Sequence, residues 1–124
     1  EIRPLADAHG VDIIQMVAPT SEERIRKNVK NATGFVYVVS SMGVTGMRGN
    51  IQTPLDQIIN VVRETTDTPI AIGFGIHTPE QAAAMAKLAD GVITGSGVVD
   101  IINKNGSEAS EKLKAYIGGL KAGI

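Results

Sequence analysis

Four short runs of β-branched and aliphatic residues, each followed by a helical pattern, constrain this chain more than any other feature. They are Val11–Val17, Phe35–Val39, Ile70–Phe74 and Gly91–Thr94. Each is too short for a helix and is bounded by turn residues, so each is predicted to be a strand. Most lack apolar/polar alternation, as expected of parallel strands packed between two layers.

The intervening segments carry helix signals. Thr20-Ser-Glu-Glu23 and Thr78-Pro-Glu-Gln81 both fit the capping box, in which the threonine hydroxyl and the side chain three residues later satisfy free helix N–H groups. Pro79 falls at the first helical position, where its fixed φ suits the turn, and Thr53-Pro54 is a similar start. Leu55, Ile58, Ile59 and Val62 form the stripe a helix lays on a sheet. Ala82, Met85, Ala86 and Ala89 repeat that spacing with small side chains, and Leu113, Tyr116, Ile117 and Leu120 mark a final amphipathic helix. A short helix is expected from Ser96 to about Asn103, before Asn105-Gly106. The order β-α-β-α-β-α-β-α-α, with strands recurring about every 22 to 35 residues, predicts an α/β fold with a parallel sheet. No linker interrupts it, so residues 1–124 are expected to form a single domain.

Composition narrows the functional classes. A net charge of −1 gives no electrostatic reason to expect nucleic acid or an anionic membrane as partner. No apolar run approaches the roughly 18 residues of a membrane span. The start EIRPLADAHG does not have the pattern of a signal peptide, and a cytoplasmic location is expected. Without cysteine there is no disulfide, thiolate metal site or cysteine nucleophile, and no metal is expected. Because the chain opens on Glu1 rather than Met, removal of an upstream segment is expected.

In α/β barrels the active site lies at the C-terminal ends of the strands, with phosphate commonly held after the last two beside a short extra helix. The corresponding ends here are Val17-Ala-Pro-Thr20, Val39-Ser-Ser-Met-Gly43, Gly73-Phe-Gly-Ile76 and Thr94-Gly-Ser-Gly97. Gly75 and Gly95-Ser96 leave backbone N–H groups open to close approach, and Ser96 opens the short helix, whose positive end suits a phosphate dianion without any Lys or Arg. The other reading is that Gly75, Gly95 and Gly97 merely permit tight turns. Ser41–Gly49 is a glycine-bearing loop around Thr45 that reads either as a closing lid or as a surface loop, with Arg48 either meeting a ligand anion or solvated. His9 is expected to face solvent. His77 follows a strand end with no partner carboxylate or second histidine.

The motifs SSMGVTG (Ser40–Gly46), GFGIHTPEQ (Gly73–Gln81) and ITGSGVVDII (Ile93–Ile102) resemble the C-terminal half of the tryptophan synthase α subunit, in family order and near-family spacing. DIIQMVAPTS (Asp12–Ser21) resembles that family's fifth barrel strand and its exit. The resemblance implies the C-terminal half of a TIM (β/α)8 barrel, about four βα units, strands five to eight. It implies cleavage of indole-3-glycerol phosphate to indole and glyceraldehyde 3-phosphate. By motif, Gly46, Gly75, Gly95 and Ser96 would surround the phosphate, Phe74 and Ile93 would line the pocket, Tyr37 would point into it, and Thr45 would belong to the closing loop. Where the family often has an arginine after the loop's first serine, this chain has Ser41.

The reaction needs an acid to protonate indole C3 and a base to take the glycerol hydroxyl proton. The resemblance puts both on early strands. None of the four strand ends above carries Asp or Glu, while Asp12 and Asp90 fall at the opposite ends of their strands. No catalytic residue is therefore expected in this chain, and alone it is expected to be inactive. Its edges and barrel-facing side need cover, from a missing N-terminal half or a second copy. The resemblance also implies the β subunit as partner, with pyridoxal phosphate on that subunit and no cofactor here. Two other functional readings stay open: a non-catalytic phosphate-binding half barrel that self-associates, and a sugar-phosphate barrel enzyme with another substrate.

Overall fold

The computed structural model describes residues 2–40 and 55–124. The elements run α1 (Arg3–Ala8), β1 (Gln15–Val17), α2 (Glu22–Val29), β2 (Val36–Val39), α3 (Leu55–Thr65), β3 (Ile70–Gly73), α4 (Pro79–Ala86), β4 (Gly91–Val92), α5 (Ser96–Asn105) and α6 (Ala109–Ala122), with a 3-10 turn over Gly106–Glu108 before α6. The four strands form one sheet in the order β1-β2-β3-β4, and every pair is parallel. The predicted α/β alternation is therefore present. The loop Ser41–Gly49, with Thr45, Gly46 and Arg48, and the helix start at Thr53-Pro54 lie outside the described residues.

Register shows which way each side chain faces. Met16 pairs with Tyr37, Tyr37 with Ala71, and Ala71 with Gly91, so these four share one face. Val17, Val36, Val38, Ile70 and Ile72 point the other way and are all buried. They form a single core with Ile25 and Val29 of α2, Ile58, Ile59, Val61 and Val62 of α3, Ala82 and Met85 of α4, and Leu120 of α6. Fully burying each Val or Ile is worth roughly 1.5–3 kcal/mol, which anchors the helix layer to this face. The opposite face is not covered in the same way: Met16 is 61% exposed and Tyr37, Ala71 and Gly91 are half-buried. Two-sided packing, inferred from the apolar runs, thus holds on one side only.

Several boundaries differ from expectation. β1 begins at Gln15 rather than Val11, and β4 ends at Val92, although Ile93 N–H still donates to Ile72 O at 2.8 Å. Both are edge strands with one neighbour each, which leaves fewer ladder bonds to extend them. Thr78 does form the capping box with Gln81. The cap of α2 is Ser21 rather than Thr20, and no side-chain bond closes it. α1 was not anticipated: it buries no residue, and Pro4 in its first turn is its main local support. α5 runs to Asn105, two residues beyond the expected end. Ile117, expected in the buried stripe of α6, is 41% exposed.

Candidate active site at the C-terminal strand ends

The exits of β2, β3 and β4 converge on one cavity of about 710 Å³. Six of the residues expected in a site line it together: Tyr37, Phe74, Gly75, Ile93, Gly95 and Ser96. The remaining two, Thr45 and Gly46, belong to the undescribed loop.

Each wall has a local cause. Tyr37 projects from β2 across β3, where Gly73 makes room: a Cβ there would come within 3.0 Å of Tyr37 Cε1 and closer still to the hydroxyl end. Phe74, just past β3, has φ +86°, a conformation that disfavours any side chain, and it is 51% exposed at the cavity. Gly75 follows with φ +76°, so two consecutive residues turn the chain sharply at the strand exit. Ser40, buried at the end of β2, holds this bend: its N–H donates to Gly73 O at 2.9 Å and its hydroxyl to Phe74 O at 2.7 Å.

The glycines at the β4 exit serve different ends. Gly95 has φ −126° and nothing within 4 Å of where a Cβ would stand, so neither strain nor crowding requires glycine there. Openness in front of its backbone remains as the distinguishing property. Gly97, one residue into α5 beyond Ser96, is filled by Tyr116 of α6: a Cβ would stand 2.8 Å from the ring's Cζ and nearer to the hydroxyl. That hydroxyl lies 3.1 Å from Thr94 Oγ1 and donates to His77 O at 3.2 Å, while Thr94 donates to Ile76 O at 2.9 Å.

The charges need one correction. No Lys or Arg was expected beside the Gly95-Ser96 turn, yet Lys104 lines the same cavity from two turns along α5. It is ion-paired at 3.6 Å with Asp100, which also lines the cavity. Asp100 is thus a wall carboxylate that the strand-end survey missed, because it comes from a helix; it is 69% exposed and paired within its own helix. His77 also lines the cavity, its Nδ1 2.8 Å from Gly75 O, and His9 is exposed as expected. Ser40, Thr94 and Tyr116 are the residues that the sequence reading gave no site role. The nearest sequence signal was Gly75 as a tight-turn residue, and the positive φ at Phe74 is a finding of the structure.

At the other end of the sheet, Asp90 Oδ2 accepts the Ile70 N–H at 2.8 Å and Arg63 approaches Oδ1 at 3.4 Å. The Ile70 N–H holds the Asp90 carboxyl below its ordinary value; burial opposes it less strongly, and Arg63 adds smaller contributions in the lowering direction. This carboxylate fastens β3 to β4 away from the cavity. Asp12 lies beside Gly34, ahead of β2, and does not line the cavity. A second cavity, about 750 Å³, opens beside the exit of β1 and is walled by Met16, Arg24, Lys27 and Asn28. It lies at the β1 edge of the sheet and shares no lining residue with the cavity of the glycine turns. Among the described residues no group of acidic or histidine side chains could hold a metal, and no helix is long and apolar enough to cross a membrane.

Four sequential parallel βα units, with a glycine-lined cavity at the exits of the last strands, have the architecture of half a TIM barrel. Comparison with known proteins narrows this class. The family model for the tryptophan synthase alpha chain matches residues 1–123. The tryptophan synthase alpha chain of Lacticaseibacillus casei is 45% identical over 124 residues, covering 100% of this chain and 47% of the relative. That of Methanosarcina mazei is 44% identical over 126 residues, covering 100% and 45%. Among solved structures, a mutant tryptophan synthase alpha subunit from Pyrococcus furiosus superposes with a TM-score of 0.79 at 31% identity, covering 96% of this chain and 48% of that one. Tryptophan synthase from M. tuberculosis gives 0.78 at 30% identity, covering 98% and 43%. The chain belongs to the tryptophan synthase alpha chain family. It spans about half the length of the curated relatives it matches.

Proposed function

We propose that this chain supplies the phosphate grip and part of the indole pocket of an α-subunit barrel that cleaves indole-3-glycerol phosphate into indole and glyceraldehyde 3-phosphate, a carbon–carbon lyase reaction of tryptophan biosynthesis. The observation that carries this reading is the convergence of two turns, at Gly75 and at Gly95-Ser96, on one cavity walled by Tyr37, Phe74 and Ile93. The start of α5 offers free N–H groups and the positive end of the helix dipole to a phosphate dianion. The exposed ring of Phe74 gives the aryl part of the substrate an apolar wall. Thr45 and Gly46 would complete the enclosure from their loop.

In the retro-aldol step the bond between indole C3 and the glycerol carbon breaks. An acid delivers a proton to C3, and a base removes the hydroxyl proton as the aldehyde forms. Asp100 is the carboxylate on the described wall, and it is engaged by Lys104 one turn along its own helix. The acid and base therefore come, on this reading, from the part of the α chain that these residues do not span, and the 124-residue chain alone is inactive. The β subunit would be the partner and would hold pyridoxal phosphate. A cytoplasmic setting accompanies this metabolic role.

The test is indole release from indole-3-glycerol phosphate, with β subunit present, by the whole α chain carrying these residues and by the 124-residue chain. Activity of the first and silence of the second are expected. Silence of both would overturn the reading. The exposed Met16 face and the open β1 and β4 edges support a second reading, in which two copies of the chain cover each other. Sedimentation of the 124-residue chain as a cooperatively unfolding dimer would favour it.

A further inference from the structure

We propose that Tyr116 is a positioning residue that holds the two glycine turns at a fixed separation and so determines phosphate affinity. The proposal rests on the phosphate reading above. The Tyr116 hydroxyl reaches both turns: His77, whose carbonyl it meets at 3.2 Å, stands two residues after Gly75, and Thr94, 3.1 Å away, immediately precedes Gly95. Thr94 in turn donates to Ile76 O at 2.9 Å, so the β3 and β4 exits are laced together through two hydroxyls. Two hydroxyl protons serve three contacts, so one of them is shared between two acceptors.

Gly97 is the independent second observation. Its missing Cβ is the space into which the phenol fits, so the first turn of α5 rests directly on the ring. Gly97 has no need of glycine for a ligand's approach if its role is to receive Tyr116, whereas Gly95 has an open front. Tyr116 itself reaches the cavity from the final helix, which belongs to neither turn. A phosphate that takes N–H groups from both turns would lose affinity when their spacing is no longer fixed, even though no direct contact with it is removed.

The experiment measures binding of inorganic phosphate, and separately of indole, to the whole α chain carrying these residues, as parent, Tyr116→Phe, Gly97→Ala and the double variant. Tyr116→Phe is expected to weaken phosphate binding by about fivefold, the order of one neutral hydrogen bond, and to leave indole binding within about twofold. A general loss of packing would move both ligands together. Gly97→Ala displaces the phenol without deleting it and is expected to weaken phosphate in the same way. The double variant should then be no weaker than Gly97→Ala alone, since the hydroxyl bonds it removes are already broken by the displaced phenol. Unchanged phosphate affinity in both single variants, with the parent binding, would overturn the role of Tyr116 and spare the phosphate reading. Absence of phosphate binding in the parent would overturn that reading and the present proposal with it.

Discussion

The Ser40 hydroxyl donates to the Phe74 carbonyl at 2.7 Å, joining the end of one strand to the bend beyond the next. Ser40 is 1% exposed, so its hydroxyl depends on this bond for a partner. Ser40→Ala is expected to lower stability by about 1–3 kcal/mol, the range for an orphaned buried polar group. Urea unfolding would measure it, and a loss below about 0.5 kcal/mol would mean that Phe74 O finds another donor.

Phe74 itself carries a backbone penalty, because a residue with a Cβ sits at φ +86°. Replacing it by alanine and by glycine separates the ring from the strain. The glycine variant is expected to be the more stable of the two by about 1 kcal/mol, reversing the usual order in regular structure. Both should weaken aryl ligands. Equal stability of the two variants would show that the bend relaxes on losing its ring.

Gly73 and Tyr37 are predicted to be energetically coupled. A methyl group at 73 would overlap the Tyr37 ring, so Gly73→Ala is expected to destabilise by about 1–3 kcal/mol, as overpacking does. In a Tyr37→Ala background the same change should be close to neutral, and a double-mutant cycle by thermal or urea unfolding reads the difference. Additive effects would mean that the methyl collides with something else.

The pH dependence of stability should carry a contribution from Asp90. Folding lowers its pKa, chiefly through the Ile70 N–H. Its contribution is therefore complete above the ordinary carboxylate value and is lost as pH falls through that value towards the lowered folded-state one. Asp90→Asn should reduce stability at neutral pH and flatten the acid limb of the curve. An unchanged acid limb in urea titrations at stepped pH would show that other carboxylates account for it.

What the sequence disclosed divides by the range of the interaction. Thr78 and Gln81 are three residues apart, and their capping box was legible because its geometry is local. Thr20 and Ser21 offered two adjacent hydroxyls, and local rules do not choose between them. Ile58, Ile59 and Val62 declared a buried face by period alone, and the strands they cover were legible from β-branching. α1 escaped because it packs nothing, so no stripe marks it. Of the residues that line the cavity, Gly75, Gly95 and Ser96 were expected from strand-end logic, and Tyr37, Phe74 and Ile93 from the family resemblance alone. The lacing by Ser40, Thr94 and Tyr116 joins residues 18 to 39 positions apart, and it becomes visible only when the turns are brought together. Tyr116 read as one more apolar position on α6, since an amphipathic pattern does not register a phenolic oxygen.

The strand order β1-β2-β3-β4 has a consequence for how such a chain acquires its shape. Each strand meets only the one roughly 20 to 35 positions along, so no pairing must await a distant partner, and the entropy of closing each loop stays modest. Assembly can proceed by accretion, each βα unit docking on its predecessor as it leaves the ribosome. A sheet that grows in this way has no privileged point of closure. The same topology that lets a barrel be built unit by unit also lets it be divided between strands without disturbing the pairings on either side.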